Sequence, residues 1–397
     1  MAKSPDLFDN TPASSKGYTA KDIEVLEGLE PVRRRPGMYI GGTDESALHH
    51  LAAEILDNAM DEAVAGFANR IEVELDAGDV ISIRDNGRGI PIDPHPKFKN
   101  KSALEVIMTT LHSGGKFGGK VYDTSGGLHG VGSSVVNALS DWMEVDVARD
   151  KRSHVMRFER GKPVTKLKDA GAVNRRGTTV SFHPDAQIFG KDTHFSAARL
   201  YRMVKSKAYL FRGVEIRWKC DPSLIKGETP AEDTLKFPGG LSDFLASEIG
   251  NSKTVTQRAF SGRTENKDGK GAVEWAVVWT PQIDPFVHSY CNTIPTSQGG
   301  THEQGLRNAL TRSLRAFGES NRKISLVAAD DVMSGACAVL SVFIRDPEFQ
   351  GQTKDKLSTP DAQRLVENVV KDHFDHWLAE NPQEANKLLE FVIEQAE

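Results

Sequence analysis

Eight of the nineteen residues from Gly114 to Gly132 are glycines, and an apolar stretch with helical spacing, 133–139, follows directly. Glycine has no side chain and accepts positive φ angles, so backbone N–H groups in such a segment can turn toward one point. A helix that begins at its end adds unpaired N–H groups and the positive end of its dipole. The combination favours binding of phosphate.

Two widespread phosphate loops do not match this segment. A Walker A loop requires G-x-x-x-x-G-K-[ST], and no part of the sequence has it. A Rossmann loop is G-x-G-x-x-G after the first strand of a βαβ unit, whereas this segment is G-x-x-G-x-G from Gly127. From the glycines alone, a mobile surface loop without a ligand remains an alternative.

Length and composition narrow the class of protein. A chain of 397 residues is long for one core and predicts two domains. A net charge of −5 argues against a uniformly basic nucleic-acid binder, although a local basic patch remains possible. Three distant cysteines predict neither disulfides nor a zinc site, and they indicate a reducing cytoplasm. No signal peptide and no membrane span is expected.

Apolar spacing and turn residues predict two α+β units. Helices are expected over 21–29, 44–65, 102–111 and 195–210, and strands over 71–75, 80–84, 142–148, 154–159, 178–183 and 214–218. Asp44 or Thr43 is expected to cap the second helix and Gly66 to end it. Residues 219–238 predict a linker. Beyond it we expect strands over 272–280, 286–291 and 336–344, and helices over 302–317 and from 360.

The polar face of the helix over 46–65 carries a first candidate site. Glu54, Asn58, Asp61 and Glu62 recur at helical spacing and share that face. Such a stripe is usually a solvated face. The functional interpretation makes Glu54 a general base and Asn58 an oxygen ligand for Mg²⁺.

Three shorter motifs each have a functional and an ordinary interpretation. Asp85, in Asp-Asn-Gly-Arg-Gly after a strand, offers a carboxylate to the amine of adenine, or simply begins a tight turn. The hydroxyl of Thr178, after Gly177, supports that acceptor or belongs to a plain strand. Lys354, after a flexible turn at 350–353, reaches a terminal phosphate or is a surface lysine.

Together these motifs resemble a known site. E-x-x-x-N on a helix, D-x-G-x-G after a strand, a loop ending G-x-x-G-x-G and G-T on a strand resemble the Bergerat ATP site of the GHKL superfamily. Segments 23–40, 125–140 and 350–357 are similar to the B subunits of bacterial type II topoisomerases. Gly-Leu-Glu-Pro-Val-Arg-Arg-Arg at 28–35 is more similar to topoisomerase IV than to gyrase B.

The resemblance covers nearly the whole chain and implies an α+β architecture. A dimerisation arm is expected over 1–20 and a GHKL (Bergerat) ATPase α/β sandwich over 21–233. A ribosomal-protein-like α+β transducer domain is expected over 234–397. No Toprim motif occurs in the sequence, so it implies an ATPase that does not cleave DNA alone.

The resemblance also assigns roles to residues. It implies that Glu54 polarises the attacking water, Asn58 holds Mg²⁺, and Lys354 with Gln352 senses the γ-phosphate of ATP. Asp85 and Thr178 are implied to recognise adenine. Further implied nucleotide contacts are Tyr18, Glu62, Gly87, Arg88, Gly89, Ile90, Pro91, Gly114, Gly115, Lys116, Tyr122, Gly126, Gly127, Leu128, His129, Gly130, Val131 and Gly132. The mouth of the pocket, where aminocoumarins bind in relatives, is implied at Arg88, Pro91 and Arg149.

Partners follow from the same resemblance. It implies an ATP-dependent homodimer closed by the N-terminal arm, with Tyr18 reaching the partner's nucleotide. It implies an A subunit of the ParC kind and capture of double-stranded DNA for strand passage, decatenation and relaxation, hence chromosome segregation. Candidates for contacting DNA, or else plain solvated charges, are Arg307, Arg312, Arg315, Arg322 and Lys323.

Three alternatives remain beside the topoisomerase IV interpretation. Gyrase B, with negative supercoiling, has the same ATP-site motifs. A clamp of the Hsp90 type for protein clients would lack the Gln352–Lys354 arrangement and the Arg33–Gly37 block. A histidine kinase would need a phosphoacceptor helix upstream of the ATP site, and none is predicted.

Overall fold

The computed structural model describes residues 19–114, 124, 130–265, 271–319, 324 and 327–397. In this part of the chain the elements form two units, each built on its own main sheet, and the predicted α+β class is confirmed. None of the helices in these residues has the length and apolar character needed to cross a membrane.

The first unit runs from a short 3-10 turn at Ala20–Asp22 to a strand that ends at Leu235. Its helices are α1 (Glu30–Arg34), α2 (Gly37–Ile40), α3 (Glu45–Val64), α4 (Ala103–Thr109), α5 (Gly132–Ala138), α6 (Ala186–Phe189) and α7 (Ala197–Leu210). Its strands are β1 (Arg70–Asp76), β2 (Val80–Asp85), β3 (Pro94–His95), β4 (Phe98–Ser102), β5 (Ser140–Arg149), β6 (Arg152–Glu159), β7 (Lys162–Pro163), β8 (Lys168–Ala172), β9 (Gly177–Pro184), β10 (Glu215–Cys220) and β11 (Glu232–Leu235).

The main sheet of this unit has the order β11-β10-β1-β2-β9-β5-β6-β7, with β8 paired to β6. Its pairings are antiparallel except for β1 with β10. Side chains along β1 and β2 alternate between buried and partly exposed, because successive residues of a strand point to opposite faces. Helices α3, α5 and α7 join the core on the buried face, so the unit is a two-layer α/β sandwich.

Helix α3 crosses this core and carries the predicted polar face. The Asp44 carboxylate accepts a hydrogen bond from the Ala47 N–H at 2.9 Å, as the predicted cap requires. Leu48, Leu51 and Ile55 are buried against the sheet. The chain leaves the helix at Gly66, whose φ of +82° lies in the left-handed region.

The second unit is a sheet with long helices packed on it. Its helices are α8 (Leu241–Ile249), α9 (Thr301–Phe317), α10 (Ala329–Met333), α11 (Pro360–Glu380) and α12 (Pro382–Ala396). Its strands are β12 (Phe260–Glu265), β13 (Gly271–Trp279), β14 (Phe286–Cys291), β15 (Ile294–Pro295), β16 (Ala336–Ile344), β17 (Phe349–Gln350) and β18 (Lys356–Leu357). The predicted strands over 286–291 and 336–344 are confirmed at those bounds.

Strands β13 and β16 are buried along their whole length. The sheet order is β12-β13-β16-β14-β15. On one face Trp275 and Leu340 join the core that includes α9, α11 and α12. On the other, Val278 and Val339 join a second cluster with the end of α7 and with α8. The continuous apolar runs of β13 and β16 therefore reflect burial on two faces.

The helix predicted over 21–29 is wrong. The structure has only the 3-10 turn Ala20–Asp22, followed by non-helical chain up to α1. Ile23 and Val25 are 58% and 78% exposed, so an amphipathic helix here would have no core to cover. Gly28, with a φ of +59°, precedes α1.

The linker predicted over 219–238 is also wrong in part. Strand β10 continues to Cys220, and β11 pairs antiparallel with it, with Leu235 opposite Ile216. A domain boundary after residue 233 would fall inside β11, because the first sheet extends to Leu235. Edge strands tolerate polar residues, which hides them among turn-like sequences. Helix α8 and strand β12 were not predicted from the sequence.

Candidate functional site

A cavity of about 340 Å³ opens beside α3, the end of β2, β9 and the start of α5. Its apolar wall includes Ile83, Ile107, Met108 and Val180. The structure brings many predicted site residues to it, namely Glu54, Asn58, Glu62, Asp85, Arg88, Gly89, Ile90, Pro91, Gly114, Gly130, Gly132, Arg149 and Thr178. Motifs that are separated in sequence thus converge on one apolar pocket with polar groups at its edges.

A wider depression of about 500 Å³ lies at the ends of β1 and β2 and is lined mostly by charged side chains. Among the described residues it shares only Asp85 with the first cavity. Its arginines already have partners: Arg84 lies 3.6 Å from Glu72, and Arg176 donates to the backbone carbonyl of Asn86 at 3.0 Å. The predicted chemistry therefore belongs to the smaller cavity.

Asp85 ends β2 and is 8% exposed. Its Oδ1 accepts hydrogen bonds from the N–H groups of Gly87 at 2.7 Å and of Thr178 at 3.4 Å. Burial raises the pKa of this carboxyl to about 6, the charge of Glu62 adds to the rise, and the two N–H groups oppose it. At neutral pH the cavity therefore contains a buried, mostly ionised acceptor.

The turn after Asp85 is braced on two sides. Glu62 accepts hydrogen bonds from the Arg88 backbone N–H at 3.0 Å and from its guanidinium at 2.6 Å. Arg149 donates to the carbonyl of Gly89 at 2.9 Å. The hydroxyl of Thr178 accepts from the N–H of Ile90 at 3.1 Å. Glu62, Arg88 and Arg149 thus line the cavity while they fix the backbone around the acceptor.

Two glycines permit close approaches here. A Cβ on Gly87 would lie 2.6 Å from Glu62 Oε2, and a Cβ on Gly132 would lie 2.2 Å from Glu54 Oε2. Any larger residue would displace one of these carboxylates. The first turn of α5 therefore lies directly against Glu54, where the unpaired N–H groups of a helix N-terminus can bind an anion.

Glu54 and Lys354 meet although they are 300 positions apart in the sequence. Lys354 Nζ lies 3.9 Å from Glu54 Oε1, and His50 Nε2 lies 3.3 Å from the same oxygen. Lys354 is 4% exposed and adopts a φ of +60° in the loop between β17 and β18. The alternative of a solvated surface lysine is therefore wrong. Gln352 lies half-buried in the same loop.

Asn58 lies one helical turn after Glu54 on the same face of α3. Its Nδ2 donates to the hydroxyl of Ser133 at 3.0 Å, which links α3 to α5. The oxygen of the same amide is the donor type that Mg²⁺ prefers. Ser133 and His50 were missed by the sequence analysis. His50 stands four residues before Glu54, and this spacing was a signal that could have revealed it.

Several predicted residues lie outside the described part of the chain. They are Tyr18, Gly115, Lys116, Tyr122, Gly126, Gly127, Leu128, His129, Arg322 and Lys323. Val131 is buried in the core beside the start of α5. The role of the predicted arm over 1–20, of which residues 1–18 lie outside the described part, and that of most of the glycine-rich segment thus remain predictions.

The other candidates for DNA contact have partners within the chain. Arg307 pairs with Asp330, and Arg312 pairs with Glu367. Arg315 Nε donates to the carbonyl of Val327 at 2.8 Å. Contact with DNA phosphate would have to compete with these interactions.

Comparisons with known proteins match both units. The family described as "Histidine kinase-, DNA gyrase B-, and HSP90-like ATPase" matches residues 43–188, and the family "DNA gyrase B" matches residues 240–397. The B subunit of DNA topoisomerase 4 from Caulobacter vibrioides is 60% identical over 97% of this chain, and that from Bartonella bacilliformis is 58% identical over 96%. The chain spans only 56% of the length of each of these relatives.

Solved structures show the same relationship. The 43K ATPase domain of Thermus thermophilus gyrase B, in complex with an aminocoumarin, is 35% identical with a TM-score of 0.73, and the match covers 93% of this chain and 94% of that one. The topoisomerase IV ATP-binding domain of Francisella tularensis, in complex with a small-molecule inhibitor, is 34% identical with a TM-score of 0.74, and the match covers 94% and 98%. The chain belongs to the family formed by the B subunits of bacterial type II DNA topoisomerases.

Proposed function

We propose that this chain is the ATP-binding and ATP-hydrolysing part of the B subunit of a topoisomerase IV. The observation that carries the proposal is the meeting of Glu54 and Lys354, from different units, at the cavity that also contains Asp85. Relatives that are 50–60% identical are named as the B subunit of DNA topoisomerase 4, which favours this function over that of gyrase B.

Recognition of adenine is the first step. The Asp85 carboxylate would accept a hydrogen bond from the exocyclic amine, and the walls formed by Ile83 and Val180 would contact the flat ring. A cavity of about 340 Å³ lies within the usual range for small-molecule sites. The hydroxyl of Thr178 would add a second polar contact near the same edge of the base.

Hydrolysis would take place at the other end of the cavity. Glu54 would orient and polarise the attacking water as the general base, and His50 and Lys354 beside it would hold its carboxylate in place. The N–H groups of the first turn of α5 would donate hydrogen bonds to the phosphate oxygens. Mg²⁺, with Asn58 as an oxygen ligand, would neutralise charge on the phosphates.

Lys354 would link chemistry to movement of the second unit. Its ammonium group would contact the terminal phosphate while the loop between β17 and β18 is docked. Loss of that phosphate would remove an interaction specific to the docked arrangement, which is the differential affinity that a switch requires. Together with Gln352 in the same loop, Lys354 would make the position of the second unit depend on which nucleotide is bound.

The assembly is part of the same proposal. Two copies would close through the segment over 1–20 when ATP binds, and Tyr18 would reach the partner's site. With an A subunit of the ParC kind, the dimer would capture double-stranded DNA for strand passage, decatenation and relaxation in chromosome segregation. A cytoplasmic location is proposed on the same grounds. The match of residues 240–397 to the DNA gyrase B family counts against a clamp for protein clients.

The test is Mg²⁺-dependent ATP hydrolysis, measured over a range of protein concentrations. Wild-type protein should hydrolyse ATP at a rate that rises with the square of concentration. Glu54→Gln should lower turnover by about a hundredfold or more, because the base is lost, while it still binds a non-hydrolysable analogue.

Glu45→Gln is the matched control, since it makes the same change at an exposed position of α3. Normal turnover in Glu54→Gln would exclude Glu54 as the base. For the assembled enzyme, decatenation without net supercoiling distinguishes topoisomerase IV from gyrase.

A further inference from the structure

The two units meet at the C-terminal end of α7. The ring of Tyr209 stacks on those of Phe237 and Phe244, with centroid distances of 3.7 and 4.7 Å. These residues belong to the cluster that contains Val278 and Val339 on one face of the second sheet. The contact between the units is thus a continuous apolar core, within which a charged group would need a partner.

Lys207 is such a group, buried to 2% exposure in the last turns of α7. Its Nζ lies 2.5 Å from Asp57 Oδ1 on α3 and 2.6 Å from the backbone carbonyl of Thr293 in the second unit. Asp57 stands three positions after Glu54 and immediately before Asn58. One ammonium group therefore connects the helix that carries the proposed catalytic residues to the second unit.

The acceptor in the second unit is held rigidly. Asn292 and Thr293 form the two-residue turn between β14 and β15, with φ angles of +49° and +67°. Positive φ is unfavourable for a β-branched residue such as Thr293 and persists only where surrounding contacts enforce it. The Asn292 side chain supplies such contacts, since it donates to the carbonyl of Ile344 at 3.0 Å and accepts from its N–H at 2.9 Å.

This anchor also lies close in sequence to the loop that carries Lys354. Ile344 is the last residue of β16, and ten residues further on the chain reaches Lys354. The 292–293 turn, which accepts from Lys207, and the loop that carries Lys354 are therefore both attached to the same end of β16.

We propose that Lys207 is a positioning residue for ATP hydrolysis, which holds the second unit against α3 so that Lys354 reaches Glu54. The inference rests on the proposed function. Lys207 makes a contact between the units that involves no phosphate of the nucleotide. The second unit covers the ion pair between Lys207 and Asp57 only while the units are docked. The pair therefore favours one docked arrangement over a range of looser ones.

The experiment compares Lys207→Met with Arg202→Met, which also replaces a basic side chain by Met but at an exposed position of α7. Lys207→Met should lower kcat about tenfold, because a small misplacement of catalytic groups is enough for such a loss. The affinity for ADP, which lacks the phosphate that Lys354 would contact, should change by less than about twofold. Arg202→Met should match wild type, and Lys207→Arg should retain more turnover than Lys207→Met.

A double variant separates positioning from general damage. In a Lys354→Ala background, Lys207→Met should cause less than about a twofold further loss of kcat, since both changes act through one docked contact. Losses that multiply, or a parallel loss of ADP affinity, would overturn the inference.

Hydrogen exchange without nucleotide gives a readout that does not depend on turnover. Amides of 292–296 should exchange faster in Lys207→Met than in Arg202→Met, and equal rates would overturn the inference. If Lys207→Met folds poorly, Asp57→Asn combined with Lys207→Met removes both buried charges and is measured in its place. Wild-type protein without ATPase activity would overturn the proposed function, while the exchange measurement would still decide on Lys207.

Discussion

At the scale of single residues, Asp85 is buried and yet mostly charged at neutral pH. Burial raises its pKa from 3.8 to about 6, so the folded protein binds a proton more tightly than the unfolded chain does. Stability therefore falls as the pH rises from about 4 to 6, by about 3 kcal/mol for a shift of this size. A ligand that donates a hydrogen bond to the ionised carboxylate would recover part of this free energy.

The first prediction concerns the pH dependence of nucleotide binding. The affinity for ADP should weaken as the pH falls through about 6, because protonation removes the ionised acceptor, and the dissociation constant should rise about tenfold by pH 5. Calorimetric titration between pH 5 and 8 measures this. Asp85→Asn is the control, since it should bind more weakly and show only the pH dependence of ADP itself. Identical pH profiles for the two proteins would contradict the role of Asp85.

At the scale of elements, the contact between α3 and α5 determines the geometry around Glu54. Helix α5 begins at Gly132, where a Cβ would lie 2.2 Å from Glu54 Oε2, and Ser133 in the same turn accepts a hydrogen bond from Asn58. The two helices thus hold the carboxylate and the amide in a fixed relation. Sequence spacing placed both side chains on one face of α3, but only the packing of α5 aligns them.

The second prediction tests this contact. Gly132→Ala should lower ATP turnover by about tenfold or more, because the new methyl group displaces the Glu54 carboxylate. Since that carboxylate is the end of a flexible side chain, the free energy of unfolding should fall by only about 1 kcal/mol. Gly37→Ala is the control, because the nearest atom to its Cβ would be 3.9 Å away. Wild-type turnover in Gly132→Ala would show that α5 does not constrain Glu54.

How far the sequence predicts each element depends on where its partner lies. Strand β16 was predictable because its continuous apolar run signals burial locally. Strand β11 was not, because its pairing with β10 follows a chain of turn formers. The burial of Lys354 and Lys207 was also beyond sequence analysis, since each depends on contacts with α3 from distant parts of the chain. For the site, the motifs located Glu54, Asn58, Asp85 and Thr178. Ser133 emerged only from packing, whereas the helical spacing of His50 from Glu54 was present in the sequence but was not used.

At the scale of the whole molecule, the two units contribute to one site. The first supplies the cavity and Glu54, and the second supplies Lys354, which is buried, from the loop between β17 and β18. An ion pair between the partly exposed Arg212, through Nη2, and the buried Glu274, through Oε1, has a length of 2.5 Å and adds a further link between the turn after α7 and β13. The relative position of the units therefore matters for chemistry as well as for stability.

The third prediction follows from this arrangement. Lys354→Ala should lower ATP turnover by about a hundredfold, because a positive charge next to the reacting phosphate is lost. The affinity for ADP should remain within about twofold of wild type, since the residues that line the cavity are unchanged. Single-turnover kinetics with ATP measures the effect, and Lys356→Ala, two residues on in β18, is the control. Equal turnover in the two variants would exclude a role for Lys354 in ATP hydrolysis.

The double-sided burial of β13 and β16 limits how this protein can be divided. One face of these strands is covered by elements of their own unit, but the other is completed by Tyr209 and Leu210 at the end of α7. A polypeptide that began near residue 240 would keep α8 on that face but would expose the part of the cluster that Tyr209 and Leu210 cover, and it would therefore be more prone to aggregate. Shuffling or expressing the second half as an autonomous module would therefore require a substitute for the last turn of α7.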